Sequence, residues 1–169
     1  MEVTKRVDEE LPDGTLYTKK VMENGEERTR IIFPGGMSIS TTVADDWSPQ
    51  LKVMPWQDPH FHGGYVAEGG LTEVYTQVEG WSAYIWQGEN GVLARVILDK
   101  AGETINFKPR VPHRVLLGPK AAISTQLFGV PVGNPDRKNN DWWPAQDDFM
   151  RKVTAINKQI EMWVRTLVL

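Results

Sequence analysis

His60-Phe61-His62, followed after ten residues by Glu73-Val74-Tyr75-Thr76-Gln77-Val78-Glu79-Gly80, decides how this chain is read. In an extended strand, residues two apart point to the same side. His60 and His62 therefore present two imidazoles to one interior. Glu73 heads another strand-like run and offers a carboxylate. The chain holds only 3 histidines. The third, His113, starts a further strand-like run behind Lys108-Pro109-Arg110-Val111-Pro112. Imidazole and carboxylate together suit Fe, Mn, Ni, Co or Zn.

Outward from this stretch the chain is a series of short β-like runs. Leu16–Val21 and Arg28–Phe33 flank the turn signal Glu23-Asn24-Gly25. Met37–Val43, Leu51–Trp56, Glu73–Val78, Trp81–Trp86, Gly91–Leu98, Glu103–Phe107, His113–Leu117 and Ala121–Val130 follow, punctuated by Gly, Pro and Asn. This pattern predicts an all-β sandwich or barrel. Residues 1–14 are charged and end in Pro12-Asp13-Gly14, which reads as a loosely held arm. From Ala145 the apolar residues Phe149, Val153, Ile156, Ile160, Trp163 and Leu167 recur at helical spacing. Pro144, Asp147 and Asp148 mark the start of that helix. Its apolar face is expected to lie on the β body.

Composition bounds the function. The length, 169 residues, fits one domain with a substantial core. A net charge of -3 gives no basic footprint, so no nucleic-acid partner is expected. No apolar run has the length of a membrane span, and the charged N-terminus does not read as a signal peptide. The chain has no cysteine, which removes disulfides, thiolate metal sites and cysteine nucleophiles. A cytoplasmic protein with a small-molecule substrate and no membrane partner is the expectation.

The two histidine-bearing stretches resemble the two motifs of the cupin superfamily. The first motif has H-x-H, a glutamate, six residues and a glycine, matched by His60, His62, Glu73 and Gly80. The second has a glycine, a proline-containing turn and a histidine eleven positions on, matched by Gly102, Pro109 and His113. The resemblance spans roughly residues 45–130. It implies an antiparallel jelly-roll β-barrel as the core (45–130) of a single domain, to which the sequence pattern adds an N-terminal β extension (1–44) and a linker with a C-terminal α-helix (131–169). It also implies a divalent metal ion (Fe, Mn, Ni or Zn) on His60, His62, Glu73 and His113, and a homodimer. The chain departs from the family in the ten residues between His62 and Glu73, where three or four are usual. It also has Val111-Pro112 where a glycine is usual, and Leu117 where asparagine is common. The long gap leaves Glu68 as a rival ligand or a general base.

Around the metal, period two turns Tyr75 and Gln77 to the side of Glu73. Tyr75 is a candidate proton carrier and Gln77 a structural residue. Arg110 and Lys108 are the basic candidates for an anionic substrate, and Arg114 is expected outside. The glycine-rich stretch 63–70 is a candidate lid, and Trp142-Trp143 a wall or an anchor. The strings His60-Phe61-His62, Glu73-Val74-Tyr75 and Pro112-His113-Arg114 are locally similar to archaeal-type cupin phosphoglucose isomerases. That similarity implies aldose–ketose isomerisation of a sugar phosphate through a metal-stabilised enediolate. The same ligand set also serves iron-dependent dioxygenases of small organic acids or aromatics, and non-catalytic binding modules.

Overall fold

The computed structural model describes residues 2–35, 37–48, 50, 53–62, 72–128 and 142–167. Among them run strands β1 (Val3–Glu10), β2 (Leu16–Met22), β3 (Glu27–Ile32), β4 (Ser38–Val43), β5 (His60–His62), β6 (Thr72–Glu79), β7 (Ser82–Gln87), β8 (Leu93–Leu98), β9 (Thr104–Phe107), β10 (His113–Leu117), β11 (Ala122–Phe128) and β12 (Trp142–Pro144). Helices α1 (Asp147–Ala155) and α2 (Asn157–Arg165) follow.

The strands form two antiparallel sheets. The larger has the order β1-β2-β3-β4-β11-β6-β9 and the smaller β12-β5-β10-β7-β8. Tight turns join the hairpins. Gly25, between β2 and β3, has a φ of 82°, and a Cβ there would meet Asp45. Gly80, between β6 and β7, has a φ of 70°, a region glycine enters without strain.

Tyr75, Tyr84, Phe107, Val115, Leu117 and Ile123 fill the space between the sheets. The smaller sheet buries its other face too. Ala83, Ile85 and Leu116 meet Phe149 and Val153 of α1 and Ile160 and Val164 of α2. Because β10 is covered on both sides, Val115-Leu116-Leu117 is a continuous apolar run rather than an alternating one.

Five expectations change. The N-terminal arm is a paired strand: β1 runs against β2 from Val3↔Met22 to Glu10↔Leu16. The strand expected over Leu51–Trp56 is absent among its described residues, 53–56, and the chain is irregular up to His60. Pro144 closes β12 instead of opening the helix, which begins at Asp147. The single helix is two, broken at Ile156, whose φ of -110° and ψ of 14° leave helical geometry. Val164, not Trp163, is the residue fully buried one turn beyond Ile160. The spacing of four repeats from Ile160 to Val164, whereas Trp163 lies at the margin under the Arg95 guanidinium, 4.7 Å away.

Candidate metal centre

The two sheets meet at the three histidines. β5 carries His60 and His62 on its buried side, and His113 of β10 pairs directly with His60. Glu73 and Tyr75 come from β6 in the facing sheet, where they pair with Leu127 and Thr125 of β11. His60, His62 and Glu73 bring ligand atoms within 4.8 Å of one another. His113 joins them through Glu73: its Nε2 lies 2.9 Å from Glu73 Oε2. Phe107 stacks on the His113 ring with planes only 4° apart, which fixes its orientation.

Backbone carbonyls set the tautomers of two of the rings. His60 Nδ1 donates to Asp58 O and His113 Nδ1 to Val111 O, each at 2.9 Å. Each Nε2 is then left as a lone-pair donor, the arrangement found around metal-binding imidazoles. Glu73 Oε2 faces two ring nitrogens, Nε2 of His113 at 2.9 Å and Nε2 of His62 at 3.4 Å. Neither contact is aligned as a hydrogen bond, and among the described residues this buried oxygen has none. Burial by itself would raise the Glu73 pKa. A proton on the neighbouring His62 and His113 rings outweighs it and holds the carboxyl well below the usual range. Burial, with His113 and His62 nearby, pushes His60 well below the ordinary imidazole value. A buried carboxylate among imidazoles, with an oxygen left without a hydrogen bond, is a donor set that fits a divalent metal ion.

Tyr75 is buried beside this cluster, with its hydroxyl 3.3 Å from His113 Nε2. Burial, then the Glu73 carboxylate, pushes its phenol well above the ordinary value, so it stays protonated. Gln77 has the structural role expected of it. It donates to Glu79 O at 2.7 Å and accepts from the Ser82 hydroxyl, tying the β6–β7 hairpin. Thr125, rather than Gln126, faces the interior. Trp142 both anchors and walls the site: β12 pairs with β5, and the Trp142 ring stacks on His60 at 5.7 Å. Glu68 and the candidate lid at 63–70 lie outside the described residues.

The basic candidates change. Lys108 pairs with Glu89 at the surface. The Arg110 side chain lines a separate cleft with Trp143 and Asp148, while its N–H donates to His62 O. Arg114 turns away from the interior as expected. It is not a free surface charge: it lies over Trp56 and donates to Gln57 O at 3.1 Å. Among the described residues, the cations that do line the site are Lys20, Arg28 and Arg30, on β2 and β3. The cavity at the cluster has a volume of about 90 Å³. It continues into a recess of about 310 Å³ that shares all its lining residues except Asp58. The available signal was polar alternation, Thr18-x-Lys20 and Ser38-x-Ser40-x-Thr42, facing inward instead of outward.

No family model and no curated protein matches the sequence. The fold has counterparts among solved structures. Oxalate decarboxylase from Lactobacillus farciminis superposes with a TM-score of 0.53 at 14% identity, over 82% of this chain and 38% of that one. CapF, in complex with 3-isopropenyl-tropolone, gives 0.55 at 13% identity, over 77% of this chain and 34% of that one. A mutant form of the oxalate decarboxylase of Bacillus subtilis gives 0.54 at 14% identity, over 82% and 34%. The chain thus spans little more than a third of the length of these proteins. The likeness shows a cupin-type, jelly-roll fold. Among the described residues no helix is long and apolar enough to cross a membrane.

Proposed function

We propose that this cupin-fold chain is an enzyme that holds one divalent metal ion on His60, His62, Glu73 and His113 and interconverts the aldose and ketose forms of a small sugar or sugar phosphate. The observation that carries the metal part is Glu73 Oε2, buried without a hydrogen bond and facing two imidazole Nε2 atoms. When bound, the ion supplies Lewis-acid polarisation of the substrate carbonyl. Tyr75 supports the isomerase part. Its protonated hydroxyl lines the cavity and can donate to a substrate oxygen. Moving a proton between neighbouring carbons needs a base as well, and Glu68 is retained for that role. The buried wall around Tyr75 keeps bulk water away from the transferred proton. A homodimer and a cytoplasmic location belong to the same reading, supported by the added N-terminal strands and the absence of cysteine.

A second reading, breakdown of a small organic acid, is favoured by the narrowness of the cavity and its cationic wall. Oxalate, named for two of the structural counterparts, is a small anion of that kind. Two measurements separate the readings. Metal analysis of protein purified without chelator or metal-affinity resin is expected to give one ion per chain. Incubation of that protein with sugar phosphates in deuterated water is expected to exchange the proton at C2. Absence of exchange across a broad panel, with oxygen uptake or carbon dioxide release from small acids, would replace isomerisation by the second reading.

A further inference from the structure

The first three strands set cations side by side on the cavity face of the larger sheet. Arg6 of β1 lies directly opposite Lys20 of β2, and Lys20 lies directly opposite Arg28 of β3. Arg30, two residues along β3, is opposite Thr18 and Ser40. Like charges directly opposite in a sheet are destabilising, so such a row needs compensation. The chain supplies part of it. Asp8 accepts from Arg6 Nε and from the Thr18 hydroxyl, both at 2.8 Å. The buried Glu26 accepts from Arg28 at 3.1 and 2.8 Å and from Gln57 at 3.3 Å. Arg30 Nε donates to Ser40 Oγ at 3.3 Å. The Lys20 side chain has no ion pair or hydrogen bond among the described residues. Two further carboxylates face the space: Asp58 at the recess, which acts on Arg114, and Glu73 in the cavity, which acts on Arg30.

These groups line one continuous space. Lys20, Arg28 and Arg30 border both the narrow cavity at His60–His62–Glu73 and the wider recess at its mouth. We infer that Lys20, Arg28 and Arg30 form an anion subsite that seats a carboxylate or phosphate group of the substrate, with the reacting end directed at the histidine–glutamate cluster. Guanidinium groups present paired N–H donors to an oxyanion, and the ammonium adds a compact point charge. Partial burial strengthens the attraction relative to open solvent. The inference deepens the enzymatic reading above and depends on it for the reaction, although not for anion binding.

The test is calorimetric titration of the full chain with inorganic phosphate and with acetate in constant chloride, as purified and after chelation, with metal content measured on each sample. At least one oxyanion should bind at one site per chain in both preparations. Lys20→Gln and Arg30→Gln should each weaken it roughly tenfold or more without changing metal content, and Lys20→Arg should restore it. Tighter phosphate assigns the subsite to a phosphate ester, and tighter acetate to a carboxylic acid. Binding no stronger than chloride in the wild-type chain, or unaltered binding in both folded glutamine variants, would overturn the subsite. The wild-type titration decides even where a variant does not fold. Anion binding by protein that holds no metal as purified leaves the subsite standing and removes the metal reading; metal as purified without anion binding does the reverse.

Discussion

Glu73 and Tyr75 sit two residues apart on one strand and face the same space, but they have separable roles. Glu73→Gln keeps the shape and removes the charge. It should weaken metal binding beyond the roughly 10- to 100-fold expected for loss of a supporting group, read as metal per chain after dialysis. The double variant His62→Ala/His113→Ala should hold no stoichiometric metal. Tyr75→Phe should keep the metal and lower kcat by about 10²-fold or more. Lys20 gives a pH signature. Burial, then Arg30, Arg6 and Arg28, against the opposing pull of Asp8, lower its pKa from 10.5 to about 8. Between those values the unfolded chain carries more of this proton than the folded one, so the Lys20 contribution to stability rises with pH. Below pH 8 the charged ammonium costs stability in full. Lys20→Met should therefore raise Tm at pH 7, with the gain shrinking towards pH 10.5 in a thermal-denaturation series. Gly80 is a motif glycine with a structural cause. Its φ is 70°, and a Cβ would come within 3.0 Å of Ala121 Cβ. Gly80→Ala should cost about 1–2 kcal/mol, measurable by urea unfolding.

At the scale of elements, the smaller sheet is the middle layer of the molecule. β10 sends His113, Val115 and Leu117 inward and Leu116 outward to the helices. One strand thus supports the metal cluster and the helix layer at once. Phe149 of α1 is almost completely buried against that outer face. Phe149→Ala should cost about 3–5 kcal/mol in urea unfolding, with metal content per folded chain unchanged, because the site lies on the other face. Loss of metal from the folded variant would show that the layers are coupled. The helix break at Ile156 escapes a periodicity reading, because one non-helical residue leaves the side-chain phase intact: Phe149, Val153, Ile160 and Val164 are all buried on both sides of it. β1 escapes for the opposite reason. All its residues are exposed, so it has no apolar stripe, and it is a strand only through its pairing with β2. Its charges fall in two blocks, Lys5-Arg6 and Asp8-Glu9-Glu10, and it forms the edge of the larger sheet.

For the whole molecule, the cluster joins the two sheets, with histidines from one and the carboxylate from the other. A metal ion bound there ties the layers together and stabilises the folded state by mass action. At a free metal concentration of 100 Kd the gain is about 2.7 kcal/mol. For a chain of this size that corresponds to a Tm rise of about 5–11 °C, reversed by chelation. An unchanged Tm on addition of Mn, Fe, Ni and Zn in turn would argue against a built metal site.

The sequence by itself determined most of the strand series, the positions of the motif glycines and the histidine–glutamate set, because these are local. Period two aligns His60 with His62 and Glu73 with Tyr75, and the turn at Gly80 demands a positive φ wherever the strand leads. The tertiary structure alone decided what faces those residues. Polar alternation looks the same whether it faces in or out, so Lys20, Arg28 and Arg30 read as ordinary surface charge until the pairing of β2 and β3 in the larger sheet places them at the site. Arg110, adjacent to the site in sequence, is turned by its backbone, with a φ of 66°, towards another cleft. Pairing between strands far apart in the chain, and the packing of one sheet on another, set the direction of a side chain. That direction separates a cavity wall from solvent.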